Sequence, residues 1–267
     1  MASARKGPLV YRQSVWTRIT HWLWAVCLFF LTLTGLQIFN AHPVLYIGME
    51  SGFGFDNAVF GIGTAGEGAS RRGVTRILGA EFDTTGLLGL HGDQAQAFPP
   101  ALTIPSYRSL ATGRVIHFFF AWLLVATLAL WLAASLWNRH VRDLIPTARD
   151  LRALPRDIAD HARLRFRHGR GYGALQKLSY AGVLFVLLPL MILTGLTMSP
   201  WFNSWMPWTL DLFGGRQTAR TIHFAVMVLL AAFFLVHMLM ILLAGPLNEL
   251  RAIVTGWSRI DSEGDAR

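Results

Sequence analysis

ARTIHFAVMVLLAAFFLVHM, residues 219–238, has the length and apolarity of a membrane-crossing helix, which takes ~20 residues at ~1.5 Å each. It nevertheless carries His223 and His237, fourteen residues apart, with Arg220 one turn before the first. Ionisable groups at such depth are expensive and are usually kept for function. Fourteen steps of ~100° come within ~40° of four full turns, so both imidazoles share a helix face, ~21 Å apart along its axis.

The rest of the chain has the same membrane character. Of 267 residues 53% are hydrophobic and only 15% charged, with a mean hydropathy of +0.42, which excludes an ordinary soluble domain. Four apolar runs are long enough to span a bilayer, near 17–39, 113–137, 175–198 and 217–243. The first is too long for a cleaved signal and has no small-x-small site after it. The single cysteine, Cys27, lies within a span, which leaves no disulfide, no Cys-x-x-Cys-His attachment for c-type haem and no thiolate set for zinc or iron–sulfur.

The net charge of +9 is distributed as topology, not as a nucleic-acid footprint. Arg5, Lys6, Arg12 and Arg18 precede the first span; Arg139, Arg142, Arg149, Arg152, Arg156, Arg163, Arg165, Arg167 and Arg170 lie between the second and third; the connection 199–216 holds only Arg216. Both termini and the 138–174 loop are therefore expected in the cytoplasm of a bacterial-type inner membrane, attracted to anionic lipid, and the long 40–112 connection on the outside. That connection opens glycine-rich (SGFGFDNAVFGIGTAGEG, 51–68) and reads as either a partner-docking surface or a floppy insertion. Trp201, Trp205 and Trp208 read as an interfacial belt. The segments 143–167 and 245–257 read as amphipathic stretches lying on the membrane surface, and His140, His161 and His168 as solvated histidines.

An internal repeat runs through the spans. LTGL occurs at 33–36 and 193–196, and Arg-x-x-His plus an aromatic at 18–22, 114–118 and 220–224. The fold expected is all-α, one 267-residue domain: two related hairpins forming a four-helix transmembrane bundle. The in-span histidines then pair by depth, His117 with His223 on the outer side and His21 with His237 on the inner. Two imidazoles facing each other across a bundle suit the axial positions of a haem iron, and two such pairs make a two-haem electron path. Zinc would need three or four ligands in one cluster, and no Asp or Glu lies within the spans. Gly35, fourteen residues after His21, and Gly195 at the same place in the repeat either clear room for a macrocycle or let helices pack closely. Arg18, Arg114 and Arg220 either pair with haem propionates or snorkel to the interface.

Taken together, RITHW, GRVIHFFFAW (113–122), YGALQKLSY (172–180) and the His223/His237 pair resemble the di-haem cytochrome b subunits of membrane-bound formate dehydrogenase, nickel–iron hydrogenase and thiosulfate reductase complexes, a cytochrome b561-like group. The resemblance covers all four spans. It implies two haem b groups held by His21, His117, His223 and His237, and an electron-transfer subunit, with no catalytic residues of its own, linking membrane quinone to an oxidoreductase on the outer face. It places quinone near the start of the third span, with Gln176 and Lys177 as polar candidates and Tyr180 one turn on; Gly173 stands where the family has asparagine. AFPPALTIPSYRSLATGR (97–114) resembles relatives that accompany molybdopterin enzymes, implying a periplasmic partner of that kind. Two other readings stay open: a stand-alone cytochrome taking electrons from superoxide, which a cationic outer funnel would favour, and a haem-free transporter or scaffold, which the lack of in-span acids weakens.

Overall fold

The computed structural model describes residues 7–139, 141–165 and 173–260; Arg5, Lys6, His140, Arg167, His168, Arg170 and Tyr172 lie outside them. The elements in chain order are β1 (Leu9–Tyr11), α1 (Val15–Phe39), β2 (Val44–Tyr46), β3 (Ala58–Ala65), β4 (Arg72–Ile77), β5 (Ala80–Asp83), β6 (Gly89–His91), β7 (Gln94–Gln96), α2 (Leu110–Trp137), α3 (Val141–Leu144), α4 (Ala148–Ala162), α5 (Ala174–Gly182), α6 (Leu188–Thr197), α7 (Pro200–Trp205), α8 (Trp208–Leu212), α9 (Arg216–Ala244), α10 (Pro246–Thr255) and β8 (Trp257–Arg259). A single π turn, Val183–Leu187, joins α5 to α6. Four helical stretches are long and apolar enough to cross a membrane: Val15–Phe39, Leu110–Trp137, Ala174–Thr197 and Arg216–Ala244. Their outward faces stay apolar, as lipid requires: Phe119, Leu130 and Leu235 are largely exposed.

The chain forms two compact units. One comprises 1–25, 126–188 and 230–267, the other 26–125 and 189–229. In the first, β1 and β8 pair antiparallel, Tyr11 opposite Trp257. Thr147 and Asp150 form a reciprocal capping box that starts α4. Asp150 also takes an ion pair from Lys177 at 3.1 Å, and Asp157 Oδ2 accepts the Leu175 N–H at 2.8 Å, capping α5. Trp24 packs edge-on against Trp131 and donates to Thr127 at 3.1 Å.

The second unit departs from the all-α expectation. Residues 44–83 form a four-stranded antiparallel meander, β2-β3-β4-β5, and 89–96 a hairpin, β6-β7. Beyond the glycine-rich 51–68 stretch, two glycines serve close backbone approach. A Cβ on Gly73 would stand 2.3 Å from the Leu88 carbonyl oxygen, and one on Gly89, at φ +83°, 2.2 Å from that of Gly63. Leu78 and Gly79, both at positive φ, make the two-residue turn between β4 and β5. The insertion shares a core with helix ends, Leu45, Ile62 and Ala97 packing with Phe39 and Phe224. Asn40 bonds the Phe98 backbone in both directions, at 2.8 and 3.3 Å. At the start of α9, Thr221 donates to the Tyr46 carbonyl at 2.7 Å and Thr218 accepts from Gly48 N–H at 2.7 Å. The sheet is thus anchored to the helix ends that carry it.

Candidate functional site

The second unit holds His117, from α2, and His223, from α9. Their ring centres stand 6.5 Å apart at an interplanar angle of 58°. Each ring meets one copy of LTGL. His117 Nδ1 lies 2.9 Å from Thr34 Oγ1, and His223 Nδ1 lies 3.0 Å from Thr194 Oγ1. His223 Nδ1 also lies 3.1 Å from the Met191 carbonyl oxygen, and Thr34 already gives its hydroxyl proton to the Phe30 carbonyl at 2.6 Å. A carbonyl, or a hydroxyl that has given up its proton, can only accept, so Nδ1 carries the proton in both rings and Nε2 keeps its lone pair. The adjacent glycines admit the rings. A Cβ on Gly35 would meet His117 Cε1 at 3.6 Å, and one on Gly195 would meet His223 Cε1 at 3.3 Å. Of the two readings of these glycines, the closest neighbour found is an imidazole edge.

The first unit holds His21, from α1, and His237, from α9, with ring centres 6.4 Å apart at 52°. Trp22 stands edge-on to His21 at 5.6 Å, and Phe233, one turn before His237, lies nearly parallel to it at 5.7 Å. His21 Nδ1 is buried with no hydrogen-bond partner among the described residues. The protein leaves that ring with a nitrogen it does not itself satisfy, a costly state for a buried polar atom.

These observations bear directly on whether haem fits. A metal–imidazole bond is ~2 Å, and the nitrogen lies about 1 Å from its ring centre, so two imidazoles trans across one metal stand ~6 Å apart. Both pairs meet that spacing. Among the described residues no group of three or more His, Cys, Asp or Glu could hold a metal ion, so the pairs are suited to a metal that brings its own equatorial ligands, as haem iron does.

The arginines divide. Arg220 donates from Nη1 to the Val44 carbonyl at 2.8 Å and from Nη2 to that of His42, with its guanidinium 5.8 Å from the Phe39 ring centre. It latches the sheet to α9. Arg18 donates from Nη1 to the Val254 carbonyl at 2.6 Å, at the end of α10. Arg114 is exposed, its guanidinium 5.5 Å from the Phe118 ring centre. The candidates at the start of α5 are also engaged within the chain: Lys177 pairs with Asp150, and Gln176 Nε2 donates to Tyr180 Oη at 2.8 Å. Thr34 and Thr194, both fully buried, were not singled out from sequence. The signal was present, since each precedes the glycine of a repeated LTGL.

Two comparisons place the chain beside known proteins. A family described as prokaryotic cytochrome b561 matches residues 150–256, a stretch holding Gly195, His223 and His237. The chain is 26% identical over 231 residues, 85% of its length and 88% of the relative's, to the putative protein-methionine-sulfoxide reductase subunit YedZ1 of Azospira oryzae. The match over residues 150–256 is thus a similarity to that family across the last two of the four helices long and apolar enough to cross a membrane.

Proposed function

We propose that this protein carries two haem b groups and moves electrons across a bacterial inner membrane, between quinone and a periplasmic oxidoreductase. His117 with His223 would hold one haem and His21 with His237 the other. The observation that carries the reading is the near-identity of the two imidazole pairs, 6.4 Å and 6.5 Å between ring centres. When bound, haem supplies a one-electron couple.

The chain's own residues do the rest. At each site two imidazoles would hold the haem, which would disfavour oxygen binding and suit electron transfer. The apolar helix faces exclude water. Both termini and the arginine-rich 138–174 loop lie in the cytoplasm on this reading, beside anionic lipid. The His21–His237 pair then faces the cytoplasm and the β-insertion the periplasm. Quinone exchange is assigned to the α5 start, where Gln176 and Tyr180 remain as contacts while Lys177 holds α4. The relative's description as a putative protein-methionine-sulfoxide reductase subunit supports a reductase as partner, and the resemblance of residues 97–114 assigns it the molybdopterin type, docking at the β-insertion. The chain serves that partner as an electron-transfer subunit.

The test is haem per chain, by pyridine haemochrome and a reduced-minus-oxidised spectrum of the gently extracted protein. Two b-type haems are expected. One would remove an imidazole pair from the reading, and none after haem-replete expression would overturn it.

A further inference from the structure

We infer that Thr34 and Thr194 are positioning residues for the haem of the second unit: each holds a ligand imidazole as its Nδ1–H tautomer, leaving Nε2 to coordinate, and strengthens it as a donor. This rests on the ligation proposed above.

The hydrogen bonds allow one direction only. A threonine hydroxyl has a single proton. Thr34 Oγ1 directs it to the Phe30 carbonyl at 2.6 Å, and Thr194 Oγ1 to the Leu190 carbonyl at 2.7 Å. Towards the imidazole each oxygen can then only accept. Its bonds to Nδ1, 2.9 and 3.0 Å, fix the orientation of the ring, and the following glycine leaves the ring edge room to approach. Both side chains are fully buried, so neither hydroxyl is shared with water.

The arrangement belongs to the second unit alone among the described residues. His21 Nδ1 finds no acceptor. The repeat is also broken there: fourteen residues beyond His117 stands buried Trp131, where α9 carries His237. The two haems are therefore inequivalent by construction. An acceptor on Nδ1–H pushes electron density onto Nε2 and favours ferric iron, so removing it raises the midpoint of that haem and leaves the other in place.

The test uses purified full-length holoprotein with Thr34→Val and Thr194→Val, which keep the side-chain shape and delete the hydroxyl, beside Thr34→Ser and Thr194→Ser. Midpoints come from potentiometric titration, with the second-unit haem assigned in the His21→Ala protein, and ferric EPR and haem content are read in parallel. The valine variants should shift only that haem, by about tenfold towards ferrous, the low end of what losing such a partner costs, or ~59 mV for one electron. Serine should restore the wild-type value. Loss of that haem in the valine variants but not in the serine variants also supports the inference. Wild-type midpoints in the valine variants with both haems bound would overturn it, as would equal haem loss in valine and serine variants. A wild-type protein without haem would instead overturn the ligation reading beneath it.

Discussion

Replacing Gly195 by valine should evict one haem and spare the other. A Cβ at position 195 would stand 3.3 Å from His223 Cε1 and 3.7 Å from Nδ1, against 3.6 and 4.0 Å for Gly35 and His117. Carbon contacts prefer ~3.5–4.0 Å, so Gly35→Ala fits as it stands and Gly195→Ala asks the ring to yield by a few tenths of an ångström. Valine adds two γ-carbons ~1.5 Å further out, and one or both must overlap the ring. His223 then leaves Thr194 and Met191, its partners at 3.0 and 3.1 Å. Overpacking costs ~1–3 kcal/mol and each lost hydrogen bond ~1 kcal/mol. The sum, ~3 kcal/mol or more, weakens retention about a hundredfold. Haem per chain and reduced spectra of Gly35→Ala, Gly195→Ala and Gly195→Val, extracted in parallel, provide the assay. The expected values are two, two and one, with Gly195→Ala altering the ferric EPR of a single haem. Two haems and an unchanged spectrum in Gly195→Val would refute the placement of this imidazole against the glycine.

His117→Ala or His223→Ala should remove the second unit's haem and spare the first's, while His21→Ala or His237→Ala should do the reverse; difference spectra of the four variants check the pairing. Arg220→Ala deletes two charge-assisted hydrogen bonds to the backbone of residues 42–44, worth ~1.5–3 kcal/mol each. The expected outcome is faster limited proteolysis within 44–96 with haem content kept, and Arg220→Lys should rescue little because it lacks the fork. Asp150 is held down to about 2 by the Thr147 N–H, the Thr147 hydroxyl and then Lys177. A depressed carboxylate stabilises the fold above its unfolded value, ~3.9, and loses that contribution as pH falls towards 2. Hydrogen exchange in α4 should accelerate between those pH values in the wild type and much less in Asp150→Asn.

Periodicity within one helix is a local property, and it carried much of the reading. The fourteen-residue step from His223 to His237 places both rings on one face of α9 whatever packs against it. Apolar length likewise announced the four spans. The sheet at 44–83 was illegible because glycine contributes no side chain to the alternation that betrays a strand, and its role at Gly73 and Gly89 appears only once another backbone lies 2.2–2.3 Å from the missing Cβ. Arg220 shows the same limit. One turn before His223, it had equal reason to seek a propionate or the interface, and chain from 176 residues away supplies the Val44 carbonyl to its Nη1.

By itself, then, the sequence determined the membrane class, the number of spans and which four histidines lie within them, because hydropathy and helical pitch need no partner to act. Tertiary structure alone decided that LTGL meets an imidazole, that two arginines serve the backbone and that a glycine-rich loop becomes a sheet. Each of these depends on which group arrives from a distant part of the chain, and a buried donor or acceptor is satisfied by whatever folding brings within ~3 Å of it.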